Sequence, residues 1–197
     1  MSEIKKEEIL TLFKETDALL TGHFELSSGL HSSQYLQCAK ILQYPEHAMK
    51  LCQALAESVK DKGIDLVIGA ATGGVIISFL TAYYLNKRSL FAERKEKELL
   101  LRRGFEMKKG ERVLIVEDVI TTGGTVFELI DLVKEREAVP AAICSLVNRS
   151  GGMKQIKGID IYGLLEINVP AYKKEECPLC KDNVPVSKPG SKKVVDK

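Results

Sequence analysis

Apolar positions recur along this chain in changing rhythms. Over residues 3–20, Ile4, Ile9, Leu12, Phe13, Leu19 and Leu20 stand at loosely helical spacing with charges between them. That spacing predicts an amphipathic first helix, ended by Thr21 and Gly22. Residues 22–37 hold two weakly alternating runs separated by turn residues, which predicts a hairpin too small to be a domain. From Pro45 the pattern lengthens. Pro45 suits a first helical turn, and Ala48, Cys52, Leu55, Ala56 and Val59 line one face until Gly63. A buried strand is predicted at 64–68, a loop at 69–74, a largely buried helix at 75–85 and a short strand at 89–92. Residues 93–104 are highly charged. The clearest strand is 112–116, followed by a helix over 124–137 and strands at 141–147 and 159–165. Strands separated by helices predict an α/β fold, a mainly parallel sheet flanked by helices. Residues 170–197 lose the periodicity and carry four prolines and many lysines, so they read as a tail or an irregular appendage. The chain thus divides into 1–44, a core over 45–169, and 170–197.

Charge narrows the functional classes. The 197 residues carry a formal net charge of +2, so nothing global calls for nucleic acid or an anionic membrane. Any phosphate must be bound by particular loops. The first ten residues are too charged for a secretory signal. The longest apolar stretch, 75–85, is interrupted by Ser78 and Thr81 and falls short of the roughly 20 residues of a membrane span. The expectation is a soluble, cytoplasmic protein. Five cysteines, an odd number, argue against a complete disulfide framework. Cys38, Cys52 and Cys144 sit among apolar neighbours and read as core residues. Cys177 and Cys180 form a single pair in the tail. A closed Zn²⁺ site needs four ligands, and the tail offers no second pair or nearby His. Two tails meeting in a dimer would supply four thiolates; otherwise the pair reads as unpaired or locally packed thiols.

The chemistry concentrates in residues 113–125, VLIVEDVITTGGT. A buried strand reaches two adjacent acids, passes a hydroxyl- and glycine-rich loop, and enters a helix. Amides at a helix start carry positive partial charge and suit a phosphate dianion. Gly123 and Gly124 let the backbone approach closely, and Thr121, Thr122 and Thr125 add hydroxyl donors. Glu117 and Asp118 can accept hydrogen bonds from a ribose diol. A phosphate cradle beside diol acceptors describes a ribose 5-phosphate site. The Gly-Lys-Ser/Thr ending of a Walker loop and the Gly-x-Gly-x-x-Gly of a dinucleotide fold are both absent.

Residues 113–125 resemble the PRPP-binding motif of the type I phosphoribosyltransferases, and the resemblance covers roughly residues 10–170. It implies that fold, with a small N-terminal hood over residues 22–35, and PRPP contacts from Glu117, Asp118, Val119, Ile120, Thr121, Thr122, Gly123, Gly124 and Thr125. Three further segments resemble the orotate phosphoribosyltransferases. The hood carries Ser28-Gly29 and a following aromatic. Arg94-Lys95 matches the start of a mobile catalytic loop, 94–104, that acts across a homodimer interface. Asn148-Arg149 matches the step whose Arg holds the orotate carboxylate, a bidentate pairing that guanidinium geometry favours. Thr121 matches a position that touches orotate as well, and Thr72, Gly73 and Gly74 match the pyrophosphate loop.

The resemblance implies transfer of ribose 5-phosphate from PRPP to orotate, with Arg94, Lys95 and Asp118 as the catalytic side chains. Mg²⁺ would be carried on PRPP, with no direct protein ligand. The alternatives on the same fold are a purine phosphoribosyltransferase and a PRPP- or nucleotide-sensing regulator. Three departures stand out. His31 occupies the hood position where the family usually has Lys, segment 94–104 has no His, and Gly73 replaces a common Lys.

Overall fold

A computed structural model describes residues 4–26 and 28–189 of the chain. Parts of the expectations above that fall on residues 1–3, 27 and 190–197 lie outside it. In chain order the elements are α1 (Lys6–Glu15), β1 (Leu19–Glu25), β2 (His31–Leu36), α2 (Ala39–Leu42), α3 (Pro45–Ser58), β3 (Leu66–Ala70), α4 (Gly73–Leu85), β4 (Arg88–Lys95), β5 (Glu98–Leu101) and β6 (Arg112–Ile120). There follow α5 (Gly124–Glu135), β7 (Val139–Asn148), β8 (Gln155–Ile156), β9 (Ile159–Glu166), β10 (Ala171–Tyr172) and α6 (Pro178–Lys181).

Seven strands form the main sheet in the order β5-β4-β3-β6-β7-β9-β8. The five inner strands run parallel, and β5 and β8 close the edges antiparallel. Successive side chains of a strand point to opposite faces, so the continuous apolar run of β6 feeds two cores. Leu114 and Val116 pack with Ile9 and Phe13 of α1, Leu51 and Leu55 of α3, and Ile77 of α4. Val113 and Ile115 pack with Leu129, Ile130 and Val133 of α5. Cys38, Cys52 and Cys144 are buried in the first of these cores, as their neighbours suggested.

Several boundaries differ from the sequence reading, each for a local reason. The first helix stops at Glu15 because Asp17 takes a left-handed φ of 55°, so Leu19 and Leu20 belong to β1. The strand expected at 112–116 runs on to Ile120, since Glu117, Val119 and Ile120 pair with Ser145, Val147 and Asn148 of β7. The charged segment expected as a mobile loop is largely an antiparallel hairpin. Arg94 pairs with Leu99 and Lys95 with Glu98, and Glu96 (φ 57°) turns the tip. Leu99 is buried there, an inward alternation that the surrounding charges obscured.

The hood hairpin forms as predicted, β1 against β2. Residues 170–189 are not a free tail. β10 pairs with Ser32 and His31 of β2, and Ser187 exchanges backbone hydrogen bonds with His23 and Glu25 of β1. The pairing spans more than 130 residues of chain, which no local pattern announces.

Candidate functional site

The sheet order places the site. After β3 and β4 the chain crosses back over β3 to lay down β6, so the loops leaving β3 and β6 diverge from neighbouring strands. Ligands of open α/β sheets bind at such a switch point, outside the carboxyl ends of the strands. Here the two diverging loops are residues 71–72, before α4, and 121–123, before α5. They lead into or contain the glycines singled out from the sequence, Gly73 and Gly74 at the start of α4 and Gly123 and Gly124 at the start of α5.

Beyond β6 lies a cavity of about 280 Å³, lined by residues 119–126 with Glu117 and Glu128. Gly123 holds φ 81°, the left-handed turn that swings the chain into α5, and no side chain caps that helix start. Its first amides are left to face the cavity. Thr121 and Thr122 are exposed at its mouth, and Thr125 is half-buried. Val119, Ile120, Thr121, Thr122, Gly123, Gly124 and Thr125 are therefore brought together on one concave surface.

The two acids are adjacent and their carboxyl groups interact. Glu117 lines the cavity and is buried. Burial first, and then the adjacent Asp118 carboxylate, push its carboxyl up to about 8. Asp118 is turned toward the loop after β3. A Cβ added at Gly73 would stand 3.0 Å from its Oδ2, so a side chain at 73 would crowd the carboxylate. That contact gives the departure at Gly73 a physical reason. The Ala71–Thr72 peptide bond is cis, and Thr72, Gly73 and Gly74 open α4 directly beside Asp118. The Val119 amide donates to Asp118 Oδ1 at 2.8 Å, which orients the carboxyl group.

Arg149 follows β7 at the same edge, and its amide donates to the Ile120 carbonyl at 2.8 Å. The loop carrying it is pinned by the buried Asn148. The Asn148 Oδ1 accepts from the Ser150 hydroxyl at 2.6 Å, and its Nδ2 donates to the Met153 carbonyl at 2.9 Å. Arg149 thus stands beside Thr121 on ordered backbone. Arg94, on β4, is a bidentate partner of Glu128, both bonds being 2.9 Å. Glu128 is a cavity residue that the sequence reading did not single out; its place one turn into α5 is the signal that would have found it. Lys95 lies exposed near the hairpin tip. His31 does not reach this site: it is buried in the hood against His23.

A glycine turn at the switch point, with two adjacent carboxylates and an arginine at the next strand end, is an arrangement able to hold a sugar phosphate. The family model for the phosphoribosyl transferase domain matches residues 37–174, and the chain belongs to that family. Within it, the relatives point to the orotate branch. The chain is 52% identical over 191 residues to the orotate phosphoribosyltransferase of Caldicellulosiruptor saccharolyticus, covering 97% of this chain and 100% of the relative. The fold matches the crystal structure of orotate phosphoribosyltransferase from Aeropyrum pernix with a TM-score of 0.69 at 24% identity, over 81% of this chain and 93% of that one. It also matches adenine phosphoribosyltransferase from Thermoanaerobacter pseudethanolicus, TM-score 0.60 at 21% identity, over 68% of this chain and 88% of that one. The architecture is therefore shared by enzymes of different bases, whereas the 52%-identical relative, matched over its full length, is an orotate phosphoribosyltransferase.

Proposed function

We propose that this chain transfers ribose 5-phosphate from PRPP to orotate, giving orotidine 5′-monophosphate and pyrophosphate. The observation that carries the reading is Arg149. It is a cation on a pinned loop, hydrogen-bonded through its backbone to the strand that leads into the phosphate cradle. Orotate is an anionic base whose carboxylate a guanidinium can grip bidentately. Adenine and hypoxanthine carry no such group.

In this reading the amides and hydroxyls of residues 121–125 hold the 5′-phosphate, so binding energy remote from the reacting bond orients the anomeric carbon. The ring of orotate lies between Thr121 and Arg149. Loss of pyrophosphate leaves positive charge on the ribose, and Glu117 and Asp118, side by side near the end of β6, would stand close to it. That charge favours the ionised form of Glu117, which burial otherwise holds protonated to about pH 8. Thr72, Gly73 and Gly74 offer backbone donors to the pyrophosphate, and Arg94 and Lys95 supply cations to it. Arg94 reaches the cavity wall of its own chain through Glu128; action across a subunit interface is part of this proposal.

The residues fit a divalent cation borne by the substrate. Glu117, Asp118 and the threonines are hard oxygen donors. Among the described residues, however, the only group of three or more metal-ligating side chains is in the hood. Mg²⁺ carried on PRPP would neutralise the departing pyrophosphate. A homodimer is supported by α4, whose outward face carries large apolar and aromatic side chains. Ile77 and Ala82 are buried in the core, while Phe79 and Tyr83 remain 67% and 66% exposed. Beside them an apolar groove of about 560 Å³ runs past Pro45, Val75, Phe91 and Phe105. A second copy would cover this face. A cytoplasmic enzyme is in keeping with the absence, among the described residues, of any helix long and apolar enough to cross a membrane.

The test is a panel of bases offered with PRPP and Mg²⁺, to the chain and to Arg149→Ala. Orotate should be consumed and adenine, hypoxanthine and uracil left. The variant should lose about 10–100-fold in orotate KM, the worth of one charge-assisted pair, with PRPP affinity kept. Turnover of a purine with orotate inert would overturn the reading.

A further inference from the structure

The hood holds a second constellation that the transferase chemistry does not use. His23 of β1, His31 of β2, Cys177 and Cys180 bring four ligand atoms within 4.8 Å of one another. His23, His31 and Cys177 are buried and Cys180 is half-buried. The histidines and cysteines lie about 150 positions apart in the chain, 154 for Cys177 and His23. The sequence reading, which looked for ligands near the cysteines, found only the pair.

We infer that these four side chains form a closed, structural Zn²⁺ site that fastens residues 170–189 to the hood. The edges fit. With Zn–S near 2.3 Å and Zn–N near 2.05 Å, a tetrahedral N···S edge is about 3.6 Å. The Sγ of Cys177 and of Cys180 lie 3.6 Å from His23 Nε2, and Cys180 Sγ lies 3.3 Å from His31 Nδ1. The two ring nitrogens stand 2.7 Å apart. A shared metal would open that edge to about 3.3 Å, a small movement of two rings.

The surroundings fit as well. His23 Nδ1 lies 2.7 Å from the Val184 carbonyl, which can only accept, so Nδ1 carries the proton and Nε2 presents its lone pair to the cluster. An imidazole oriented through its other nitrogen is the usual outer shell of a metal-bound His. Cys177 precedes Pro178 at the first position of α6, and Cys180 follows within that short helix, so both thiols face one point. Four protein ligands leave no open position, which marks the site as structural, and a Cys₂His₂ set selects Zn²⁺ over harder cations.

Burial makes the strongest case. Between Glu166 and Pro189 the only buried residue is Cys177. Apolar burial cannot hold such a segment in one place. Its backbone bonds to β1 and β2 are few and lie at a sheet edge. Metal ligation supplies the missing cross-link, because its binding free energy becomes ordering free energy. The alternative is a Cys177–Cys180 disulfide, which would leave two imidazoles facing each other without a cation.

The experiment uses the full chain purified under reducing conditions without added metal. Elemental analysis should find about one zinc per chain, lost in the Cys177→Ser/Cys180→Ser double variant. So that the test does not depend on that variant's folding, unaltered chain stripped with a chelator is then titrated with Co²⁺. One equivalent should give the visible bands of tetrahedral Co²⁺ and a thiolate charge-transfer band. Stripping should also speed tryptic cleavage at Lys173, Lys174 and Lys181 at least tenfold, with the core intact. No zinc, or Co²⁺ spectra without thiolate character, overturns the proposal; so does a mass lower by two hydrogens, the signature of the disulfide. None of these readouts depends on which base the enzyme uses.

Discussion

Glu117 is a carboxyl group kept largely from water at the wall of the cavity beyond β6, and that burial can be read in stability. Its folded pKa of about 8 stands above the unfolded value near 4.3. Below about pH 4 both states hold the proton and the group contributes nothing differential. As pH rises toward 8, the unfolded chain gives up its proton while the folded one keeps it, so the folded state loses ground; above 8 the loss is constant. Glu117→Gln removes this dependence. Its Tm should gain on that of the parent by several degrees between about pH 5 and pH 8, a difference on the order of a few kcal/mol. Parallel Tm curves would place Glu117 in water. Residue by residue, the lining of the cavity could be read beforehand, because residues 119–125 are adjacent in sequence. What could not be read was direction. Glu117 lines the cavity, whereas Asp118 lies against Gly73 at the start of α4.

Among the elements, β6 and α5 were legible in outline from an apolar run and a glycine turn, although β6 runs four residues past its expected end. The β4–β5 hairpin was not. Its charges outnumber its leucines, and strand pairing settled what composition left open: Arg94 opposite Leu99, with Leu99 turned inward. The hairpin carries Arg94 to Glu128 at the cavity wall. Arg94→Ala should lower kcat by about 10²–10³-fold, the cost of removing one charge-stabilising donor at a transition state. Tm should barely change, since both partners of the ion pair are substantially exposed and such pairs add little to stability. A large fall in Tm with normal turnover would make Arg94 a structural residue.

At the scale of the whole molecule, the α/β class followed from alternation alone, whereas the strand order that creates the switch point did not. The closure of the hood by residues 170–189 was equally hidden, since its pairing partners lie more than 130 residues upstream. The exposed face of α4 belongs to this scale too. Phe79→Asp with Tyr83→Asp should convert a dimer into monomers in sedimentation analysis while leaving each subunit folded. A monomer before mutation, or a dimer after it, would send the interface elsewhere.

The most direct measurement is a crystal structure of the chain with orotidine 5′-monophosphate. The account predicts the phosphate within hydrogen-bond reach of the amides of residues 122–125 and the base carboxylate against Arg149. A phosphate bound outside the β6–α5 turn, or a base ring held away from Arg149, would contradict it.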